Sequence, residues 1–224
     1  MPSSPIAVIF DMDGVIVHNI PFHKKAWKMF YAKRGKRLTT EMFQKDINGR
    51  LNSEILEHLF RRKLAANELR QYVKEKEALY QNSYKDHVAL LPGLEQFLKK
   101  LKKADAPMAI ATSAPPENVR FIFAHTRVGR YIAHVIDASR VKRGKPYPDI
   151  YLRAAKAIRR NPEACVVFED SPLGIRAAKA AGAKVIAVMT TMKSNEARKA
   201  DARIPDFTGM SLEKLTTLFT TPAD

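Results

Sequence analysis

Residues 6–10, Ile-Ala-Val-Ile-Phe, form an apolar run that stops abruptly at Asp11. A run this short and this rich in branched side chains predicts a buried strand rather than a helix. From about residue 18 to residue 84 the pattern changes. Apolar positions recur at spacings of three and four, as in Phe22, Ala26, Met29 and Phe30, or Ile55, Leu56, Leu59 and Phe60. That period predicts amphipathic helices and no strand. Gly35 and Gly49 punctuate the helical stretch, and Leu91-Pro92-Gly93 marks its end. Beyond it the two patterns alternate. Helices are predicted over 94–103, 117–125, 149–158, 174–181 (closed by Gly182) and 212–219, and strands over 108–111, 135–137, 166–168 and 185–188.

Strands that alternate with helices imply a parallel sheet covered on both faces, because each crossover lays a helix against the sheet. The expected fold is therefore α/β, a Rossmann-like parallel sheet interrupted after its first strand by an α-helical insertion. Residues 1–17 and 89–224 are expected to form the core, and residues 18–88 a helical cap.

Composition narrows the class. The chain has 224 residues, 46% of them hydrophobic, enough for one sizeable core and a smaller appended unit. A single cysteine, Cys165, excludes an intramolecular disulfide. Its place in the apolar run Cys165-Val166-Val167-Phe168 predicts a buried, inert thiol, which fits a reducing compartment. The N-terminus lacks the basic segment of a signal peptide, and no apolar run is long enough to span a bilayer. A soluble, cytoplasmic, monomeric protein is expected. The charge is less ordinary: 39 Lys and Arg against 23 Asp and Glu leave +16, which raises the question of an anionic partner. The basic residues are spread along helical patterns, however, and no helix-turn-helix, zinc or RNA-binding signature accompanies them. A surface that attracts anionic phosphate substrates accounts for the charge without nucleic acid.

In parallel sheets, ligand sites form at the carboxyl ends of the strands, and four predicted strands end in unusual polar residues. After the first comes Asp11-Met12-Asp13-Gly14. Residues two apart on an extended chain face the same way, so both carboxylates can share a cavity. Their mutual repulsion is tolerable only with a cation or a shared proton. A solvated Asp-Gly turn is the plain alternative. The second strand ends at Thr112-Ser113, whose hydroxyls either hold phosphoryl oxygens or cap the next helix. Lys145 lies between Gly144 and Pro146, in a loop stiffened by prolines that would hold its ammonium in place; an ordinary surface lysine is the alternative. The fourth strand ends at Glu169-Asp170-Ser171-Pro172. Ser171 and Pro172 read as N-cap and first helical residue, and the two acids are either hard oxygen ligands for Mg²⁺ or helix-start acidity.

In order and location, these motifs resemble those of the haloacid dehalogenase superfamily over nearly the whole chain. The resemblance implies a Mg²⁺-dependent phosphoryl transfer with Asp11 as nucleophile and metal ligand. Asp13 would be the general acid/base and a metal ligand through its backbone carbonyl. Thr112, with Ser113 beside it, would bind phosphate, Lys145 would be the counter-charge, and Asp170 with Glu169 would complete the metal site. Asp13 sets this chain apart from the dehalogenases of the superfamily, which lack an acid/base there. The position of the helical insertion matches the subfamily of β-phosphoglucomutase and many small-metabolite phosphatases.

Cap residues bear on the phosphoryl acceptor. His23 and Trp27 share a helical face and resemble a His-x-x-x-Trp pair of the mutase subfamily, and Lys76 falls where that subfamily keeps a substrate-contacting lysine. Gly49-Arg50-Leu51-Asn52 departs from the mutase loop: Asn52 replaces an arginine that would clamp a distal phosphate, with Arg50 as a shifted substitute. His18-Asn19 also stands where an acidic residue is usual. The expected function is hydrolysis of a small phosphorylated metabolite such as a sugar phosphate. β-Phosphoglucomutase activity is the first alternative. Inorganic pyrophosphatase and a non-catalytic basic nucleic-acid-binding module follow.

Overall fold

The computed structural model describes residues 5–220; residues 1–4 and 221–224, the extremities of the expected core and part of the N-terminal segment read above, lie outside the described residues. One sheet organises the molecule. It contains β1 (Ala7–Phe10), β2 (Met108–Ala111), β3 (His134–Ile136), β4 (Cys165–Glu169), β5 (Lys184–Val188) and β6 (Ala202–Ile204), all parallel, in the order β3-β2-β1-β4-β5-β6. Helices α5 (Leu94–Lys103), α6 (Pro116–His125), α7 (Asp149–Ala157), α8 (Pro172–Ala180) and α9 (Leu212–Thr220) accompany the strands. Helices α1 (Ile20–Ala32), α2 (Thr40–Asp46), α3 (Asn52–Phe60) and α4 (Ala66–Tyr84) stand between β1 and α5.

The strand pattern decides the two faces. Val8, Phe10, Met108, Ile110, Val166 and Phe168 point to one side, against Leu94, Phe97, Leu98 and Leu101 of α5, Ile122 of α6 and Leu215 of α9. Their alternates Ala7, Ile9, Ala109, Ala111, Cys165 and Val167 point to the other, against α7 and α8. Because both faces are buried, the strands read as nearly continuous apolar runs. The first face is aromatic: Phe10 stacks on Phe168 with ring centroids 5.3 Å apart, and Phe97 and Phe207 pack edge-on or tilted against them. The second is lined with small residues, including Ala154, Ala155, Ala177 and Ala178, so α7 and α8 lie close to the sheet. Cys165 is fully buried there, and burial pushes its thiol up to about 11.

The inserted helices have a core of their own, built from residues such as Trp27, Phe30, Phe43, Ile47, Ile55 and Leu56. Helix α4 belongs to both units. Leu69, Tyr72 and Val73 pack into the inserted core, whereas Tyr80 and Tyr84 pack into the core under the sheet. The two connections to the insertion run side by side, joined by the Val17–Leu90 bridge.

Helix α8 begins at Pro172 with Ser171 as its N-cap, as read from the sequence, the hydroxyl accepting a hydrogen bond from Gly174 N at 3.1 Å. Two details differ from the sequence pattern. Strand β4 extends through Glu169, so this carboxylate occupies the last strand position rather than the turn after it. Strand β6 is unexpected because Ala202-Arg203-Ile204 is a three-residue, partly exposed edge with a charged centre, which leaves no apolar run to read. No helix among the described residues is long and apolar enough to cross a membrane.

Phe168 is fully buried at the centre of the aromatic face. Phe168→Ala is predicted to cost about 3–5 kcal/mol of unfolding free energy. Urea denaturation should show a lower midpoint at unchanged slope, and an unaltered midpoint would contradict this account of the core.

Candidate active site

The polar residues flagged in the sequence converge at the carboxyl ends of β1, β2 and β4. Asp11 follows β1 directly, its backbone N–H donating to Phe168 O at 3.0 Å. The chain then turns at Gly14, where φ is +79° and a Cβ would lie 2.1 Å from Asp170 Oδ2. Both the left-handed conformation and the close approach require glycine. Thr190 and Thr191, beyond β5, complete the turn: Thr190 Oγ1 donates to Gly14 O at 2.6 Å, and Thr191 Oγ1 to Asp170 Oδ2 at 2.7 Å.

Lys145 is almost fully buried and pairs with Asp11 Oδ1 at 3.1 Å and with Glu169 Oε1. Glu169 is fully committed. Tyr151 Oη also donates to Oε1 at 2.6 Å, while Oε2 accepts from Asp170 N, Ser171 N and Ser171 Oγ at 2.9–3.0 Å. Gly174 lets α8 pass over this carboxylate, since a Cβ there would sit 1.7 Å from Oε1. The arrangement holds Lys145 from behind. Burial works to lower the Lys145 pKa, but Asp11 and Glu169 outweigh it and keep the ammonium charged.

Carboxylate oxygens of Asp11, Glu169 and Asp170 all lie within 4.8 Å of one another. Burial, with repulsion from Glu169 and Asp13, pushes Asp11 up to about 8 despite Lys145, and burial with Glu169 and Asp11 raises Asp170 well above the usual range. One lysine therefore does not balance the cluster. Asp11 Oδ1 is buried and receives no hydrogen bond of good geometry, the Lys145 ammonium approaching off-axis. Closely spaced hard oxygens with one so exposed electronically fit a small divalent cation such as Mg²⁺. Asp11 and Asp170 are the carboxylates suited to hold it, because Glu169 already satisfies other donors.

Asp13 lies beside this cluster. Asn19 Nδ2 donates to its Oδ1 at 2.6 Å, and His23 Nε2 stands 3.6 Å from the same oxygen, an ion-pair distance too long for a hydrogen bond. Burial works to raise the Asp13 pKa, but His23, Asn19 and Lys76 hold the carboxyl below the ordinary range. Lys76 Nζ, which can only donate, lies 2.9 Å from His23 Nδ1. Tyr80 stacks on the His23 ring at 3.8 Å and accepts a hydrogen bond from Asn19.

A single pocket collects Asp11, Asp13, Thr112, Ser113, Lys145 and Asp170 together with the cap residues His23, Trp27, Gly49, Arg50, Asn52 and Lys76. Glu169 stands behind its wall rather than on it. Thr112 is buried and its Oγ1 accepts from Ala114 N at 3.1 Å, whereas Ser113 Oγ donates to Gly49 O of the cap at 3.0 Å. Neither caps α6, whose N-cap is Pro115. Trp27 lines the pocket and also packs in the cap core. Asn52 donates to Glu77 Oε1 at 2.7 Å.

Sequence reasoning missed Asn19, Tyr151, Thr191, Glu77 and Asn118. Asn19 stood in plain view as a departure from an acidic position. Thr191 follows a fifth strand end, where the same rule of ligand placement applies. The other three lie on helix faces with no local signal.

A haloacid dehalogenase-like hydrolase family model matches residues 7–182, and the chain belongs to this family. It is an enzyme of the haloacid dehalogenase type. It is 34% identical over 181 residues to hexitol phosphatase A of Escherichia coli K12, covering 80% of this chain and 81% of that protein. To the fructose-1-phosphate phosphatase of the same organism it is 31% identical over 181 residues, with 81% and 95% covered. A crystal structure of β-phosphoglucomutase from Clostridium difficile superposes with a TM-score of 0.84 at 25% identity, covering 96% of each chain.

The cluster predicts a metal effect measurable without turnover. Mg²⁺ at a hundredfold excess over its dissociation constant should add about 2.7 kcal/mol of stability, seen as a rise in melting temperature. Asp170→Ala should abolish the rise; an equal rise in that variant would place the ion elsewhere.

Proposed function

We propose that the protein hydrolyses a small phosphate monoester, such as a sugar phosphate, through an aspartyl-phosphate on Asp11, with residues 18–88 acting as the cap over the reaction. The observation that carries this reading is the Asp11–Lys145 pair, buried at a strand end in a pocket shared with Asp13, Thr112 and the cap. The phosphatase relatives support hydrolysis as the outcome.

A carboxylate oxygen of Asp11 attacks phosphorus, and the bond from phosphorus to the ester oxygen breaks. Asp13 gives its proton to the leaving oxygen. It then takes a proton from water, whose oxygen attacks phosphorus, releasing inorganic phosphate and the Asp11 carboxylate. His23, Asn19 and Lys76 hold the Asp13 carboxyl below the ordinary range, which favours the base form that this second step needs. Mg²⁺, held by Asp11 and Asp170 with the Asp13 backbone carbonyl, would supply positive charge against the phosphoryl oxygens. Lys145 adds a fixed ammonium between nucleophile and phosphate. Thr112 and Ser113 supply hydroxyls at the end of β2. Arg50 enters the pocket from the cap loop, and its Nε is buried with no hydrogen-bond partner, so it suits an anionic phosphoryl oxygen.

A phosphomutase is the second reading, favoured by the joint presence of His23, Trp27 and Lys76 on the pocket wall and by the β-phosphoglucomutase fold likeness. A coupled assay of β-glucose 1-phosphate to glucose 6-phosphate, run beside phosphate release, separates the two; mutase turnover without phosphate release would displace the hydrolytic reading.

Asp11→Asn is expected to lower turnover by at least about a thousandfold and to prevent acid-stable trapping of phosphate on the protein during turnover. Retained activity would remove Asp11 as the nucleophile. Arg50→Ala should raise KM about tenfold with a smaller effect on kcat, and an unchanged KM would remove Arg50 from phosphate binding.

A further inference from the structure

The phosphoryl end of the pocket leaves open what its other end accepts. That end can be located from the pocket walls. Asn52 and Glu77 line both the catalytic pocket and a larger groove outside it, between α4 and the loops after β2 and β3. Asp11, Asp13, Lys145, Asp170 and Arg50 line only the inner pocket. Glu77 therefore stands in the partition between the two spaces.

Glu77 is 4% exposed and held on both oxygens. Lys76 Nζ reaches Oε1 and Oε2 at 3.0 and 3.1 Å, Asn52 Nδ2 reaches Oε1 at 2.7 Å, and Asn118 Nδ2 reaches Oε2 at 2.8 Å. Asn118 is itself fixed by Gln81, whose Nε2 donates to its Oδ1 at 3.0 Å. Burial works to raise the Glu77 pKa, but Lys76, His23 and the two amides hold it below the usual range. The Glu77 carboxylate and the Lys76 ammonium thus balance each other in the partition, and neither is left free for a ligand. Arg50 is the pocket cation without an ion pair among the described residues, and it lies on the inner side. Exposed Arg70, Lys74 and Lys142 line the groove beyond the partition rather than the inner pocket.

Resting on the hydrolytic reading above, we infer that Glu77 is a specificity-determining residue that admits a neutral, hydroxyl-bearing chain at this end of the pocket and rejects a second phosphate or a carboxylate. The substrate class is the monophosphate of a sugar or polyol. Asn48, Asn52 and Asn118 line the same space, and amides both donate to and accept from hydroxyl groups. A second anion there would meet the Glu77 carboxylate and find no free cation, because Lys76 is already paired, and an anion left beside a carboxylate without a counter-charge discriminates more strongly than a missing contact. The same arrangement disfavours a mutase, since that reaction passes through a bisphosphate.

The test compares matched pairs of esters: fructose 1-phosphate against fructose 1,6-bisphosphate, and glucose 6-phosphate against 6-phosphogluconate. Acetyl phosphate, which has no distal part, serves as the internal standard for each protein. The wild type should favour the member of each pair with a single anionic group by about tenfold or more in kcat/KM. Glu77→Gln should bring both ratios to within about threefold of unity. Parity or inversion in the wild type would overturn the inference, as would undiminished discrimination in Glu77→Gln. Should that variant fail to turn over acetyl phosphate, Glu77→Asn, which also removes the charge, takes its place. Absence of wild-type turnover on acetyl phosphate and on every ester would instead remove the hydrolytic reading, whereas turnover without the preference removes only the role given to Glu77.

Discussion

The catalytic geometry depends on a carboxylate that never meets the pocket. Glu169 ends β4 with every lone pair engaged, by Lys145 and Tyr151 on one oxygen and by the start of α8 on the other. Lys145 comes from a loop more than twenty residues earlier and would otherwise carry a flexible four-carbon stem into a buried site. Anchored to Glu169, it presents its ammonium to Asp11 with little freedom left to lose. Burial normally expels a charged lysine or neutralises it. Here two carboxylates reverse that tendency, and on the hydrolytic reading the fixed positive charge that results would make a phosphate dianion tolerable beside the Asp11 carboxylate. The arrangement leaves the acidic cluster under-compensated, which is why the same residues suit a divalent cation.

Helix α4 links this chemistry to the cap. Its first half packs into the cap core and its last turns into the core beneath the sheet, so the helix that carries Lys76 and Glu77 is braced at both ends. Tyr80 then fixes Asn19 and the His23 ring, which together set the state of Asp13. Asp13 is therefore tied to the inserted helices through these contacts, and the distal wall is tied to them through Glu77. The proposed chemistry at one end of the pocket and the proposed selection at the other would then be borne by one helix.

Much of the fold was legible because a parallel sheet buried on both faces leaves uninterrupted apolar runs, and each strand end then exposes its polar residues in order. Asp11, Asp13, Thr112, Lys145 and Asp170 were visible for that reason. β6 was not, being a short, half-exposed edge. Glu169 was visible as an acid but not as the lysine's anchor, since that depends on Tyr151 and on the absence of a side chain at Gly174, neither of which leaves a mark in local sequence. Glu77 was hidden more deeply: in a helix rich in Lys and Glu it reads as one more solvated charge. Only tertiary packing against Asn118 buries it.

The asymmetry between the two faces of the sheet carries a cost for variation. On the aromatic face, the loss of a ring leaves a cavity and costs stability, as at Phe168. On the other, Ala177 and Ala178 of α8 are fully buried, and an added methylene has no rotamer to escape into. The helix itself must move, and its first turn is what holds Glu169. A bulky residue there would thus displace the charge at Asp11 as well as strain the core.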